Sequence, residues 1–446
     1  MSRKGLTGLY ANSNLVPTPD SNNFDTIFRL VGFPNSLYAK KANGVVYPIG
    51  DGVGIVAINV GNTLFVDAQF GNNATALVDR QDKPYADIIT AQFAAVAGDT
   101  ILVRPGAYSG SNIGKDGVRY HFENGAVHTT NSQNFRDFGG NSFVVTGYGR
   151  FISNFGANLL CSGTGNKVHI EGLSFQTGGN YNVLSNAGST EIIINMSEYI
   201  TMNGTEQCFR IDAYAKLYVN TNILTGKGGI LQMDGYDSSV AIIRANRINY
   251  NPLNSGYVGF NLTNGHTEVY GDIYADEVGL YGTPVFWLDN WNSDIHSFNF
   301  YGNIYSTCTD PLIWVTADQG VANFYGKIDK ISAIIVSSGK IYFKNDIVSN
   351  QLATAVIQHN GGKCIVSAFL KNLNADPNSH GVLVSGAGLI LQSPTVIYIT
   401  DNNAYAAFAA AAQSIKSYRT VSNKGVNINV TELVSVILVD VAVDSQ

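Results

Sequence analysis

Between about residue 100 and residue 403, apolar residues recur at alternate positions in short runs, and each run ends in a turn rich in Gly, Asn and Asp. Alternation of this kind predicts strands with one buried face. The runs also repeat. Segments opening KVHIEGLSF (167), STEIIINMS (189), KLYVNTNIL (216), SSVAIIRANRI (238), HTEVYGDIY (266), SDIHSFNFYGNIY (293), VANFYGKID (321), KIYFKNDIV (340) and KCIVSAFLKNL (363) start 22, 27, 22, 28, 27, 28, 19 and 23 residues apart. Within each unit a second apolar strand follows, as in CFRID, ILQMD, GFNLT, VFWLD and LIWVT. A period in the twenties with two or three short strands per unit predicts a solenoid. The fixed Leu and Asn positions of a leucine-rich repeat are absent, as are the four strands in about 40 residues that a propeller needs. With three weaker units opening near 100, 118 and 143, the expectation is an all-β, single-stranded parallel β-helix of about 12 coils, with ladders of Asn, Ser and Thr at its turns.

The ends break this pattern. In KPYADIITAQFAAVAGD, residues Tyr85, Ile89, Phe93 and Val96 fall on one helical face, with Pro84 suited to the first turn and Gly98 to the stop. A short N-terminal helix covering the open end of the first coil is expected, because an uncovered end exposes unpaired backbone. At the other end NAYAAFAAAAQSIK (403–416) predicts a second short helix, followed by one or two strands in VNINVTELVSVILVDVAV. Residues 1–60 lack the coil period and contain Pro17, Pro19, Pro34 and Pro48, the marks of an anchoring segment with little order of its own. The expected division is 1–60 for that segment, 61–99 for a capping strand and helix, 100–403 for the β-helix, and 404–446 for a C-terminal cap. The apolar edge in ELVSVILVDVAV predicts an oligomer, a homotrimer burying it around one axis.

Composition narrows the function. Charged residues make up 13% of the chain, against about 25% on average. Asn takes their place, with 47 residues against 27 Lys plus Arg. A net charge of -6 without a basic block leaves no footprint for nucleic acid, and no apolar run predicts membrane insertion or a signal peptide. A protein made in a cytoplasm is expected. Cys161, Cys208, Cys308 and Cys364 stand alone, and the seven His are dispersed, so neither metal nor cofactor is expected. The glycines of GDGVGIV and GTGN open no helix and read as turns.

Two sets of residues could carry chemistry. Asp212, Asp234 and Asp289 each lie four residues before the next unit, and the first two belong to adjacent coils. Neighbouring carboxylates can divide acid and base roles, as glycosidases require, although sibling units place ordinary turn residues at the same position. Trp287 and Trp314 are 27 residues apart, one local period, and Phe260 precedes them in the expected column. With Tyr281 and Trp291 nearby, these are candidate glycan-binding residues, because sugar rings pack on aromatic planes and an Asn-rich surround supplies uncharged hydrogen bonds.

The stretch VDAQFGNNATALVDRQDKPYADIITAQFAAVAGDTILVRPGAYSG, followed by GVRYHFENGAVHT, resembles the entry into the right-handed, pectate-lyase-like β-helix of bacteriophage tail spikes and fibres. FPNSLYAKKANGVVYPIG looks like the head segments that join such proteins to a virion. The resemblance implies a trimeric virion protein, made in the host cytoplasm, that attaches through its N-terminus and meets a host surface polysaccharide. It implies a fold better than a chemistry, since the superfamily spans lyases, hydrolases, deacetylating enzymes and inert adhesive or architectural proteins. The Asn-Thr-Asp, Asp-Asp, Gly-His-Gly and Arg-Ile-Lys elements of a polygalacturonase-like hydrolase are missing, the nearest approaches being NGHT (264–267) and RIN (247–249). The expected function is therefore glycan engagement without catalysis. A depolymerase, lyase or glycoside hydrolase, and a purely architectural component are the alternatives.

Overall fold

The structure, a computed structural model, describes most of residues 61–373 apart from short breaks, among them 186–188, 253–257, 277–283, 290–295, 308–311 and 350–354. In parts of 8–48 and 380–428 it describes backbone strands. The chain divides into two units, Met1–Val60 and Gly61–Gln446. The first holds a four-stranded sheet. Gly8–Tyr10 pairs parallel with Thr26–Leu30, which pairs antiparallel with Phe33–Lys40, and that strand pairs antiparallel with Val46–Pro48.

The second unit is a parallel β-solenoid. Each coil climbs through three faces, which we number in chain order. In the middle of the solenoid one long strand crosses the first two, as in Lys167–Thr177, Glu191–Met202, Lys216–Gly226 and Val240–Tyr250. The strand bends between faces, and the register slips there, at Gly172/Ser174, Met196/Tyr199 and Arg244/Arg247. In later coils the bend separates two strands, such as His296–Phe300 and Ile304–Ser306. The third face is a separate 13-stranded sheet of short strands, for instance Gln207–Ile211, Gly229–Met233, Phe260–Leu262, Phe286–Leu288 and Ile313–Val315. Each strand pairs in parallel with its counterpart one coil on, and coils vary from 19 residues (Ala322 to Ile341) to 31 (Thr267 to Phe298).

The expected alternation holds: in Lys216–Gly226 the residues Leu217, Val219, Leu224 and Gly226 point inward. Burial of these apolar rows is the main source of stability in such a fold. Aromatic side chains stack inside, Phe260 on Phe286 at 5.0 Å between ring centres. Asn ladders run from coil to coil on the surface, Asn246 donating to Asn222 at 2.9 Å and Asn323 to Asn299 at 3.0 Å.

Three expectations need correction. From Phe135–Asp137 to Ala355–His359 the third face makes about 9 turns, where about 12 coils are expected over the whole solenoid. The unit opening near 118 is a full coil, contributing Arg119–Phe122, Ala126–Thr130 and the first third-face strand, Phe135–Asp137, whereas the unit near 100 reaches the third face only through the bridge of Ile113 to Phe135. The N-terminal helix is Ile88–Ala94, shorter than expected, and buries Ile88 and Ala91, with Ala95 just beyond its end also buried, while Phe93 is 79% and Val96 60% exposed. Tyr85 is held outside the helix by a bridge to Val66, and Asp87 caps the helix by accepting from the Thr90 N–H at 2.7 Å, so the helix starts late and its buried face is rotated. Within 403–416, the described backbone is strand, not helix. Ala407–Ala409 and Ile415–Ser417 pair with the preceding coil, so cross-coil pairing overrides the helical propensity of the Ala-rich run. Residues 429–446 lie outside the described part.

Candidate functional site

The third face carries Asp212, Asp234 and Asp289 at the ends of its strands and Phe260, Trp287 and Trp314 within them. Its middle strand position points outward, because its neighbours on either side point in: Phe286 and Leu288 are buried around Trp287, and Ile313 and Val315 around Trp314. Register places Asn261, Trp287, Trp314 and Ile335 in one outward row on consecutive coils. The two indoles stack at 5.7 Å between ring centres with planes 15° apart, and Trp314 is 36% exposed. The indole N–H of Trp287 donates to the Thr316 hydroxyl at 3.3 Å, and that hydroxyl donates to Asp289 Oδ1 at 2.7 Å. This chain fixes the plane of Trp287 across two coils. Since the indoles cover one another's inner faces, a ligand meets the outer ring face and the exposed edges.

Phe260 is not part of this row. It is fully buried and stacks on Phe286 in the interior, one position out of phase with Trp287, because Asn261 rather than Phe260 faces outward. Tyr281 and Trp291 lie outside the described residues.

The carboxylates form the next column, immediately after each third-face strand. The Asp212 N–H donates to Ser185 O, Asp234 to Ile211 O, Thr263 to Met233 O and Asp289 to Leu262 O, at 2.8 to 3.0 Å. Asp212 and Asp234 are therefore one coil apart, whereas Thr263 stands between Asp234 and Asp289. Each of the first two accepts from the outward side chain two residues upstream. Arg210 Nε lies 2.8 and 2.9 Å from the Asp212 oxygens, and its guanidinium also donates to the Tyr181 hydroxyl at 3.2 Å. Gln232 donates to Asp234, which also accepts from Thr263 at 3.5 Å. Burial, joined by the negative charge of Asp212, raises the Asp234 carboxyl above the ordinary carboxylate range. A raised acid beside an Arg-paired carboxylate is the electrostatic division that general acid catalysis uses. Hydrogen bonding to the preceding strand residue is equally the device of a closed turn.

A second aromatic feature escaped the sequence reading. At the bend between first and second faces, Tyr270, Tyr301 and Tyr325 stack at 4.6 and 4.7 Å with planes 9° and 8° apart. Arg244 lies 4.8 Å from the centre of the Tyr270 ring and Lys344 4.3 Å from that of Tyr325, so cations close both ends. Across the bend Tyr274 stacks on Tyr305 at 5.0 Å, with Arg247 4.0 Å from the centre of the Tyr274 ring. The signal was present as VYGDIY, FYGNIY and FYGKID, three copies of Tyr-Gly on consecutive coils. With ring faces taken up by neighbours and cations, this ladder is bracing, not a sugar platform.

Among the described residues, no group of three or more His, Cys, Asp or Glu is placed to hold a metal ion, and no helix is long and apolar enough to cross a membrane. Cys161, Cys208 and Cys364 are free and buried. No protein-family model, no curated protein and no solved structure matches the chain.

Proposed function

We propose that the protein is a virion appendage of the right-handed, pectate-lyase-like β-helix class that binds a host surface glycan along its third face without cutting it. The observation that carries the binding reading is the outward Trp287–Trp314 stack, bordered by uncharged Asn261 and Ile335 and locked through Thr316 to Asp289. A rigid, half-exposed aromatic plane beside Asn261 and the Thr316 hydroxyl suits a sugar's apolar face and its hydroxyls. The virion assignment, the attachment through the N-terminal unit and the homotrimer rest on the resemblance of 33–50, 66–110 and 117–129 to phage spikes and on the apolar C-terminal sequence.

Raised Asp234 beside Asp212 favours one second reading, a depolymerase in which Asp234 donates the proton to the leaving sugar. One set of variants separates the readings. Trp314→Ala or Trp287→Ala is expected to weaken binding to host polysaccharide by roughly 1 to 3 kcal/mol while the unfolding midpoint stays close to that of the parent. Asp212→Asn combined with Asp234→Asn leaves that binding intact. If the parent releases new reducing or unsaturated ends from the polysaccharide and the Asp pair variant does not, the depolymerase reading replaces adhesion. Unchanged binding in both Trp variants defeats the glycan site and leaves the architectural role.

A further inference from the structure

His128 sits in the second-face strand Ala126–Thr130 with no exposed surface. It lies in register between Tyr108 of the coil before and Phe151 of the coil after. Its Nδ1 is 2.5 Å from Asn134 Oδ1, and from there a buried chain of amides runs through the coils: Asn134 Nδ2 to Asn158 Oδ1 at 2.5 Å, Asn158 Nδ2 to Asn182 Oδ1 at 2.6 Å, and Asn182 Nδ2 to Cys208 Sγ at 3.1 Å. Since every amide in the chain spends its N–H forward, Asn134 Oδ1 is left as acceptor and His128 must donate from Nδ1. The neutral ring then carries its lone pair on Nε2, which is buried and has no hydrogen-bond partner. A second proton can enter only there, where it would make an N–H with no acceptor and a buried cation.

The surroundings offer no compensation. Tyr108, on the strand before, is pushed up to about 12 by burial and stays neutral. Burial likewise raises Tyr120 on the neighbouring first-face strand and Cys161 on the third face. Asp137, near Asn134, accepts from the Ser162 and Gly163 N–H groups and from Asn166. Arg150 on the following strand pairs with Glu198, 2.6 Å away. Arg104, in the turn before Tyr108, pairs with Asp67 at 3.1 Å, Arg119, Glu123 and Arg136 also lie on the adjoining strands and turns, and His121 bonds Thr146.

We propose that His128 is an acid-responsive switch that loosens the first coils, Thr100–Cys161, while the coils beyond them stay closed. Burial holds its pKa below the usual 6.5, partly offset by the Asn134 bond, so the unfolded chain takes up a proton before the folded one does. Stability contributed by the neutral ring is therefore complete above about 6.5 and drains away as pH falls through the interval down to the folded value. Coils of a solenoid contact only their neighbours, so opening stays local. The later amide bonds, from Asn158 onward, need not break.

Hydrogen exchange followed by mass spectrometry on the full chain, at about pH 7.5 and about pH 5, tests this. After correction for intrinsic rates, amides within 106–161 are expected to exchange about tenfold faster or more at the lower pH, with 191–262 unchanged. In His128→Gln, which keeps a donor for Asn134 but cannot be charged, the difference disappears. Equal protection of 106–161 at both pH values, or the same response in the variant, overturns the proposal. If His128→Gln does not fold, titration of the parent's imidazole signals by NMR decides: a His128 midpoint at or above about 6.5 refutes the switch.

Discussion

Asn158 is buried without exposure and makes three side-chain hydrogen bonds, accepting from Asn134 and donating to Asn182 Oδ1 and to Gln176 O. Asn158→Leu would fill the space and strand an amide donor on one side and two acceptors on the other. An unmet buried polar group costs about 1 to 3 kcal/mol, so a loss of about 2 to 5 kcal/mol is expected in urea unfolding of the full chain. A loss below about 0.5 kcal/mol would mean that the amide chain contributes nothing beyond volume. The period is visible in hindsight: NFRD, NLLC and NVLS put Asn134, Asn158 and Asn182 at equal spacing, each just before a third-face strand. What concealed it is chemistry. Asn favours turns, and nothing in a single residue says that its amide turns inward to a partner one coil away. The outward direction of Trp287 was hidden for a related reason, since an aromatic in a short apolar strand fits either parity until the register is known.

At the scale of elements, the bend between first and second faces depends on a glycine column as much as on the tyrosine ladder beside it. A Cβ on Gly302 would overlap Gly271 O, one on Gly326 would overlap Gly302 O, and Gly271 itself has φ +130°. The rings stack at 4.6 to 4.7 Å because that is the spacing at which the strands of successive coils pair. Gly302→Ala must separate the coils locally and pull Tyr270, Tyr301 and Tyr325 out of contact. The expected cost is about 2 to 4 kcal/mol, steric strain adding to about 0.5 to 1.5 kcal/mol for each lost ring pair. Tyr301→Phe keeps the rings stacked and should cost less than about 1 kcal/mol, both read from denaturant midpoints. Strands and their alternation were legible because burial on one side writes a period of two into the chain. Helices were not: Tyr85–Val96 and 403–416 both have helical patterns, yet bridging at Tyr85 and coil pairing at Ala407 decide the outcome.

For the molecule as a whole, the repeat that organises the second unit also sets how it responds to load. Every strand in the middle of the solenoid is hydrogen-bonded to the coil before and the coil after, and to nothing further along. Tension applied between Gly61 and the C-terminal strands would therefore not have to break all rungs at once. It can peel the outermost coil, then the next, each giving up 19 to 31 residues of slack, which is roughly 65 to 105 Å of extended chain. A force–extension trace from optical tweezers should show a staircase of such steps, with the tallest force where the long strands Lys167–Tyr250 yield, because each of these couples two faces at once. A single rip releasing the whole unit would show that the coils fail together. Graded yielding makes the solenoid a shock absorber: energy from a sudden pull is spent coil by coil at one end, and the coils still wound can guide the slack chain back.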